Sequence, residues 1–466
     1  MVSQRYQEAL DYIYSFIDYS VERSYRYSAD VFDLERVRSL LKAIGDPQHA
    51  YSTIHIAGTK GKGSVAAMIA SVLQAAGYRT GLYTSPHLQR FPERIRVGGQ
   101  EIAEVEVAQL VDTLKPHVAK VGGLTTYEII TALGFLYFMQ REVDWAVIEV
   151  GLGGRLDATN VITPIVGVIT SLSYDHMHLL GESLSDITRE KAGIIKAGVP
   201  VVTAPQQFEV ERVIEETAQA LGAPLVRVGR DWLFSPGNHT LEGQSLYVWS
   251  SDEQPLMDAY VESAGDEEWA PPRYFIPLLG HHQVVNAAVA YAALQTAISH
   301  GVEIPEPAIR AGLRDVKWRG RFDILSRSPL VVVDSAHNRE SALKLRIALD
   351  DYFPGQAVTL IFGASADKDI SGMFTELLPR VSRLILTQAV HPRAADAEEL
   401  ADLAHSYGVG VEVIVPVSEA LSRAMMQVDP EEVILATGSL FVAGEVLAAW
   451  ERREASGSKD ITREVR

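Results

Sequence analysis

Two kinds of apolar run alternate along the chain. Short runs rich in β-branched residues, at 54–57, 145–150, 164–170 and 199–203, read as buried strands. Between them apolar residues recur every three or four positions. That spacing predicts helices at 4–20, from Asp33 to about Ile44, directly after Ser64, and at 104–119, 126–141, 183–196, 208–221 and 281–299. Residues 78–83 add a strand, and 93–97 a short one running into a hairpin. From 224 to 280 the rhythm breaks. Runs at 225–228, 245–250 and 274–278 lie between Gly, Pro, Asp and Glu, which predicts a small antiparallel flap, with the acid-rich 252–268 as an exposed loop or hairpin tip. After a helix at 305–314 a clean alternation returns. Strands fall at 329–334, 357–363, 382–387, 411–415 and 432–436, with helices near 338–352, 370–380, 396–407 and 417–428; the polar tail from 455 reads as frayed.

This order predicts an α/β protein: an N-terminal P-loop ATPase domain with a parallel sheet plus the small antiparallel flap, and a C-terminal Rossmann-like α/β domain. Pro305, Pro307 and the basic, Gly-containing turn at 316–322 mark the boundary, giving domains 1–312 and 321–466 with a linker at 313–320. At 466 residues more than one core is expected. The second domain has no G-x-G-x-x-G, so no dinucleotide site is indicated there.

Composition narrows the partners. Lys plus Arg is 42 and Asp plus Glu is 60, a net charge of −18. That balance argues against nucleic-acid binding and requires any anionic ligand to find a local basic pocket. With no cysteine, disulfides, thiolate zinc sites and cysteine nucleophiles are excluded. The first residues include Glu8, Asp11 and Asp18 rather than a basic-then-apolar signal, and no apolar run approaches the roughly 20 residues of a membrane span. A cytoplasmic protein with no membrane contact is expected.

The chemistry-bearing residues gather at strand ends. The 54–57 run opens into Gly58-Thr59-Lys60-Gly61-Lys62-Gly63-Ser64 and then a helix. Glycines let backbone N–H groups wrap an anion, the helix N-terminus adds its dipole, and lysine supplies a point charge. The Ser64 hydroxyl sits where it can reach a magnesium ion that accompanies phosphates. The strict G-x-x-x-x-G-K-[ST] pattern is not met, because Gly63 separates Lys62 from Ser64. Glu149 closes an apolar strand at the end where parallel sheets bind ligands, so it is a candidate magnesium ligand or else a solvated carboxylate. Ser85 in a Ser-Pro turn and His176 after strand 164–170 hold similar places; each alone also fits a structural role. Lys191 reads as a solvated helix lysine. The tyrosines crowded before residue 28 form a packing face or an aromatic floor for a flat ligand.

Several stretches in order, GTKGKGS (58–64), TSPHL (84–88), ERIRV (93–97), TYEIIT (126–131), IEVGLGGRLDATN (148–160), DHMHLLG (175–181), EKAGIIK (190–196), 280–286, GRF (320–322), VDSAHN (333–338) and TGSLFVAGE (437–445), cover nearly the whole chain. Together they resemble the folylpolyglutamate synthase/dihydrofolate synthase family of the Mur-ligase superfamily, whose form of the loop includes the extra glycine. The resemblance implies an ATP-dependent ligase, monomeric, that adds L-glutamate to a folate or to 7,8-dihydropteroate through an acyl phosphate. ATP, two magnesium ions and a candidate potassium ion are its implied cofactors.

Position by position, the resemblance implies that Gly58, Thr59, Lys60, Gly61, Lys62, Gly63 and Ser64 cradle the phosphates. Ser85, Glu149 and His176 would hold magnesium, and Lys191 would be a carbamylated catalytic lysine. Asn286 would meet the nucleotide from the first domain, and Arg321, Asp334, His337 and Asn338 from the second, with Asp334 and His337 also catalytic. Thr125, Thr126, Tyr127 and Glu128, with Leu156, Asp157 and Ala158, would line the pterin site. One departure is Ser335, where the family's D-G-A-H-N has glycine; it is tolerable if its φ is not positive. His178 and His282 stand as extra histidines beside the motif ones. Two other readings compete. A cell-wall Mur ligase is disfavoured because only 57 residues precede Gly58. A nucleotide-gated binding protein without ligation is disfavoured by the intact Glu149, His176, Lys191 and Asp334.

Overall fold

The computed structural model describes residues 2–17, 33–175, 177–266, 268–429 and 431–461. His176 and the tyrosines at 19, 25 and 27 lie outside the described residues. Two helices come first, α1 (Val2–Tyr14) and α2 (Leu34–Ala43). As predicted, Asp33 caps α2 by accepting the Glu35 N–H at 2.8 Å.

The chain then runs through β1 (Ser52–Ala57), α3 (Lys62–Ala75), β2 (Thr80–Tyr83), β3 (Ile95–Val97), β4 (Gln100–Glu101), α4 (Glu104–Val118), α5 (Thr126–Gln140), β5 (Trp145–Glu149), β6 (Val166–Ile169), α6 (Met177–Leu180), α7 (Leu184–Ala192), β7 (Val201–Thr203), α8 (Phe208–Ala220) and β8 (Leu225–Arg227). The strands form one eight-stranded sheet in the order β4-β3-β2-β5-β1-β6-β7-β8. All neighbours are parallel except at the β2–β3–β4 edge, so the sheet is mixed. Central β1 and β5 are covered on both faces, so both bury successive residues without alternation, in β1 even the polar Thr53 and His55.

A three-stranded antiparallel sheet follows, β9 (Trp232–Thr240), β10 (Gly243–Ser250) and β11 (Arg273–Ile276), with α9 (Gln254–Glu262) between the last two. Then come α10 (His281–Ser299) and α11 (Glu306–Asp315). The second α/β unit holds β12 (Asp323–Arg327), β13 (Leu330–Val333), α12 (Arg339–Tyr352), β14 (Val358–Phe362), α13 (Ile370–Leu377), β15 (Val381–Leu386), α14 (Ala397–His405), β16 (Val411–Val413), α15 (Val417–Gln427), β17 (Val433–Thr437) and α16 (Leu440–Ile461). Its six-stranded sheet runs β12-β13-β17-β14-β15-β16, parallel but for edge strand β12.

Some expectations need correction. The 225–228 run is not part of the flap: as β8 it pairs in parallel with β7 at the edge of the large sheet. The acid-rich 252–268 is not a bare loop, since 254–262 is helical. The helix expected at 183–196 stops at Ala192, and that expected at 4–20 stops at Tyr14. α16 carries helix through Ile461 rather than fraying from 455. Strands β9 and β12 were not expected; both are half-exposed and carry polar residues.

On one face of the large sheet α3 and α10 pack with flap residues Leu246, Val248, Tyr274 and Ile276. α1, α2, α4 and α5 cover the other face. A Cβ on Gly312 would lie 2.3 Å from the Val72 Cα, so α11 reaches α3 only because that position is glycine. The second sheet has its own core on each face.

Candidate functional site

The loop between β1 and α3 is stitched to the end of β6. The Thr59 and Lys60 N–H groups both donate to the Ser171 carbonyl, at 3.0 and 3.1 Å. The Thr59 hydroxyl donates to the Ser173 carbonyl and accepts the Ser173 N–H, each at 3.2 Å. Each glycine answers a neighbour. A Cβ on Gly58 would sit 1.9 Å from Thr170 Oγ1, and one on Gly61 2.2 Å from Asn286 Oδ1; both have positive φ. Gly63, which breaks the usual loop pattern, faces Trp318: a Cβ there would meet the indole ring at 2.8 Å. The extra glycine is the footprint of the segment between the two sheets lying on the loop.

At the ends of β5 and β2, Glu149 and Ser85 meet. Glu149 is 5% exposed, and its Oε2 accepts the Ser85 N–H at 3.2 Å. Burial raises its carboxyl pKa, while Lys62, that N–H and Arg321 pull it back toward the ionised form. The Ser85 hydroxyl is buried with no hydrogen-bond partner among the described residues. An unpartnered hydroxyl beside a buried carboxylate is a pair of hard oxygen donors, which fits magnesium. Among the described residues no group of three His, Asp or Glu converges on a metal position, and His176 is not among them.

Lys191 is not a solvated helix lysine. It is 4% exposed, and its Nζ donates to the Gly58 carbonyl at 3.0 Å. Burial, then the nearby Lys62 charge, lowers its pKa from 10.5 to about 7. α7 thus delivers an amine that is readily neutral to the base of the phosphate loop.

From the second sheet, Asp334 and His337 follow β13. Asp334 accepts the Phe322 N–H at 2.8 Å and the Ala336 N–H at 2.7 Å. Phe322 has φ +48°, so the carboxylate holds a non-glycine residue in the left-handed region and with it the Gly320–Phe322 turn. Arg321 NH1 donates to the Gly320 carbonyl at 3.0 Å and to the Ser335 hydroxyl. Ser335 is not at positive φ, so serine is accommodated where the family has glycine. His337 Nδ1 lies 2.9 Å from the Ser335 carbonyl, which fixes the proton on Nδ1 and leaves Nε2 as an acceptor. Lys60 Nζ sits 3.1 Å from that Nε2. The Lys60 charge and burial hold the imidazole pKa down to about 3, so it is neutral near pH 7. Asn338 Oδ1 accepts the Ser341 N–H and caps α12, and Asn286 donates to Gln283 Oε1 at 2.9 Å.

The stretches expected at a pterin are divided in their use. Thr125 and Glu128 form a capping box at α5: Glu128 Oε2 takes the Thr125 N–H at 2.7 Å, and Thr125 Oγ1 takes the Glu128 N–H at 3.2 Å. Thr126 Oγ1 ties α1 through the Ile13 carbonyl. Asp157 accepts from the Gly151, Leu152 and Thr159 N–H groups and the Thr159 hydroxyl, so it shapes the 151–159 turn. Ala158 is core, and Leu156 is half-buried. Tyr127 differs: its buried hydroxyl has no partner among the described residues, and its ring fills the space a Cβ on Gly151 would need.

Sequence reasoning named Asp175 only within a motif and missed Lys368. Lys60 Nζ donates to Asp175 Oδ2 at 3.2 Å, and Lys368, from the loop after β14, lies 3.7 Å from Asp175 Oδ1. A lysine just past a strand C-terminus in a parallel sheet was the signal that could have found it.

The comparisons with known proteins agree with this geometry. Residues 56–294 match the Mur ligase middle domain, and 320–440 the Mur ligase glutamate ligase domain. The chain is 33% identical over 452 residues to a Bacillus subtilis protein named dihydrofolate synthase/folylpolyglutamate synthase, covering 95% of this chain and 98% of that one. It is 35% identical over 454 residues to folylpolyglutamate synthase of Lacticaseibacillus casei, covering 95% and 97%. Among solved structures, Mycobacterium tuberculosis folylpolyglutamate synthase complexed with ADP superposes with a TM-score of 0.83 at 30% identity, covering 97% of this chain and 99% of that one. An Escherichia coli protein in complex with DHPP and ADP gives a TM-score of 0.80 at 31% identity, covering 96% and 98%. No described helix is long and apolar enough to cross a membrane. The chain belongs to the folylpolyglutamate synthase/dihydrofolate synthase family of Mur ligases.

Proposed function

We propose that the chain is a cytoplasmic, monomeric ligase that uses ATP to join the amino group of L-glutamate to a carboxylate of a folate or of 7,8-dihydropteroate. The observation that carries this reading is Lys60, whose ammonium touches Asp175 on one side and His337 on the other. A phosphate loop bridged to a second α/β unit belongs in a cleft that closes over its nucleotide. Domains 1–312 and 321–466, hinged at 313–320, would do the closing.

A carboxylate is a poor electrophile. Attack of its oxygen on the γ-phosphorus of ATP expels ADP and gives an acyl phosphate. The glutamate amine then attacks the acyl carbon; phosphate leaves, the amide forms, and the amine's proton passes to solvent. Lys62 and the backbone N–H groups at the start of α3 would hold the phosphate oxygens. Arg321 would approach them from the second domain, aimed by Asp334 and Ser335, while Asn286, His337 and Asn338 border the nucleotide. Ser85 and Glu149, with His176, would hold a magnesium ion, which neutralises phosphate oxygens when bound.

Lys191, largely deprotonated above about pH 7, can add carbon dioxide through Nζ with loss of a proton. The resulting carbamate would present oxygens suited to a second magnesium. Tyr127, beside the 151–159 turn, would face the pterin. Closure keeps water from the acyl phosphate.

The test is phosphate release by purified protein. Release should require ATP, glutamate and either a reduced folate or dihydropteroate together, and comparing those two acceptors identifies the substrate. Release that depends instead on a UDP-muramoyl peptide overturns the reading.

A further inference from the structure

The loop after β15 carries a cation with no counter-charge among the described residues. The Arg393 guanidinium forms no hydrogen bond or ion pair with a described residue, and its Nε is buried. Its chain has 60 acids against 42 Lys and Arg, so a partner would be easy to supply. Instead the guanidinium carbon lies 5.9 Å from the centre of the Phe441 ring at the start of α16. His391 is stacked flat on the same ring, centroids 3.7 Å apart at 13°. The Arg393 backbone N–H donates to His391 Nδ1 at 3.1 Å, which fixes the His391 ring against the main chain that carries Arg393. Just before the loop, the Thr387 hydroxyl is fully buried and also without a partner among the described residues. Contact with an aromatic face is a weak return for a guanidinium that meets no anion among the described residues. An arginine kept only to fill space here would be poorly chosen.

The loop's attachments say which way it serves. The Ala366 N–H donates to the Arg393 carbonyl and the Ala395 N–H to the Ala364 carbonyl, both at 2.9 Å, with Ser365 bridged to Ala394. That neighbouring loop also carries Lys368, which reaches Asp175 and through it Lys60. Arg393 therefore hangs on the segment of the second sheet that meets the phosphate loop, at the strand ends where parallel sheets take ligands. Lys60, Lys62 and Arg321 are assigned to the phosphate side. An amino acid with two carboxylates needs a further cation, and a guanidinium fork matches a carboxylate.

We propose that Arg393, seated on the His391–Phe441 stack, binds a carboxylate of the incoming acidic amino acid and sets specificity for it. This rests on the ligase reading and names the residue that reads the amino acid.

The experiment measures initial rates of phosphate release by the full chain and by Arg393→Ala and Arg393→Lys, with glutamate, ATP and folate varied in turn. In Arg393→Ala the KM for glutamate should rise about 30-fold or more, with a smaller rise in Arg393→Lys. KM for ATP and for folate should stay within about twofold, and preference for glutamate over glutamine should collapse. ADP binding followed by titration calorimetry should be unchanged in both variants. An unchanged glutamate KM overturns the proposal, as does a parallel loss of ADP binding, which would mark Arg393 as structural. If the unmodified chain releases no phosphate with glutamate and any folate, the ligase reading itself fails, and that is seen before either variant is made.

Discussion

Lys191 shows what a buried amine costs the fold, and what its proposed use would have to justify. Its pKa falls from 10.5 to about 7, chiefly by burial. Between those values the unfolded chain binds a proton that the folded one does not. Stability therefore rises with pH across that window, and the penalty is complete below about pH 7. Lys191→Met should melt higher than the unmodified protein at pH 7, and the gain should shrink as pH rises toward 10; a pH-independent difference in scanning calorimetry contradicts this. The same variant should lose about 10²–10³ in turnover if the amine carries a carbamate that helps organise the phosphates. Partial recovery of Lys191→Ala by short organic acids would identify the missing group as a carboxylate. Phe322 makes the complementary case. Its φ of +48° is a local cost, offset by the Asp334 carboxylate on its N–H, and that bond fixes the turn carrying Arg321.

Helix α5 links such residues to the fold. Its capping box holds the first turn, and Tyr127 at the second helical position is thereby set beside the 151–159 turn. Thr125→Ala should cost about 1 kcal/mol of stability. It should also raise the KM for the folate substrate without changing that for ATP; equal changes in both would show only general loosening. Elements of this kind were legible where burial was two-sided. β5 and β6 are apolar runs, and β1 nearly so, because neighbours cover both faces, and their ends exposed Glu149 and the phosphate loop to sequence reasoning.

β9 and β12 were not legible, since half-exposed strands tolerate polar residues such as Ser235, His239 and Ser326. α9 was masked by its acids, although Pro255 in its first turn is a helix-start signal. The burial of Lys191 follows from α7 lying under the phosphate loop, a tertiary fact that local polarity cannot report. Gly63 was visible as a departure from the loop pattern, but its cause, the Trp318 ring, lies in a distant segment.

Across the whole molecule, the net charge of −18 would repel ATP and folate unless cations gather where the two sheets meet. They do: Lys60 and Lys368 flank Asp175, and the charges of Lys62 and Arg321 act on Glu149. Asp175 joins the halves, because Lys60 comes from the first sheet and Lys368 from the second. The Lys368 and Asp175 side chains are only 16% and 11% exposed, so salt screens their pairing less than it would a surface bridge. If this contact sets the closed arrangement, Lys368→Met should leave the first domain folded yet open the cleft. Its KM for ATP should rise about tenfold, and small-angle scattering of the ADP-bound protein should show a larger radius than the unmodified chain. Lys368 is the better position to vary, since Asp175 adjoins His176, which is proposed above to hold magnesium. A double cycle with Asp175→Asn separates the two effects. Coupling of about 1–3 kcal/mol in ATP use assigns the loss to the contact between domains, whereas additive changes would assign it to each loop alone.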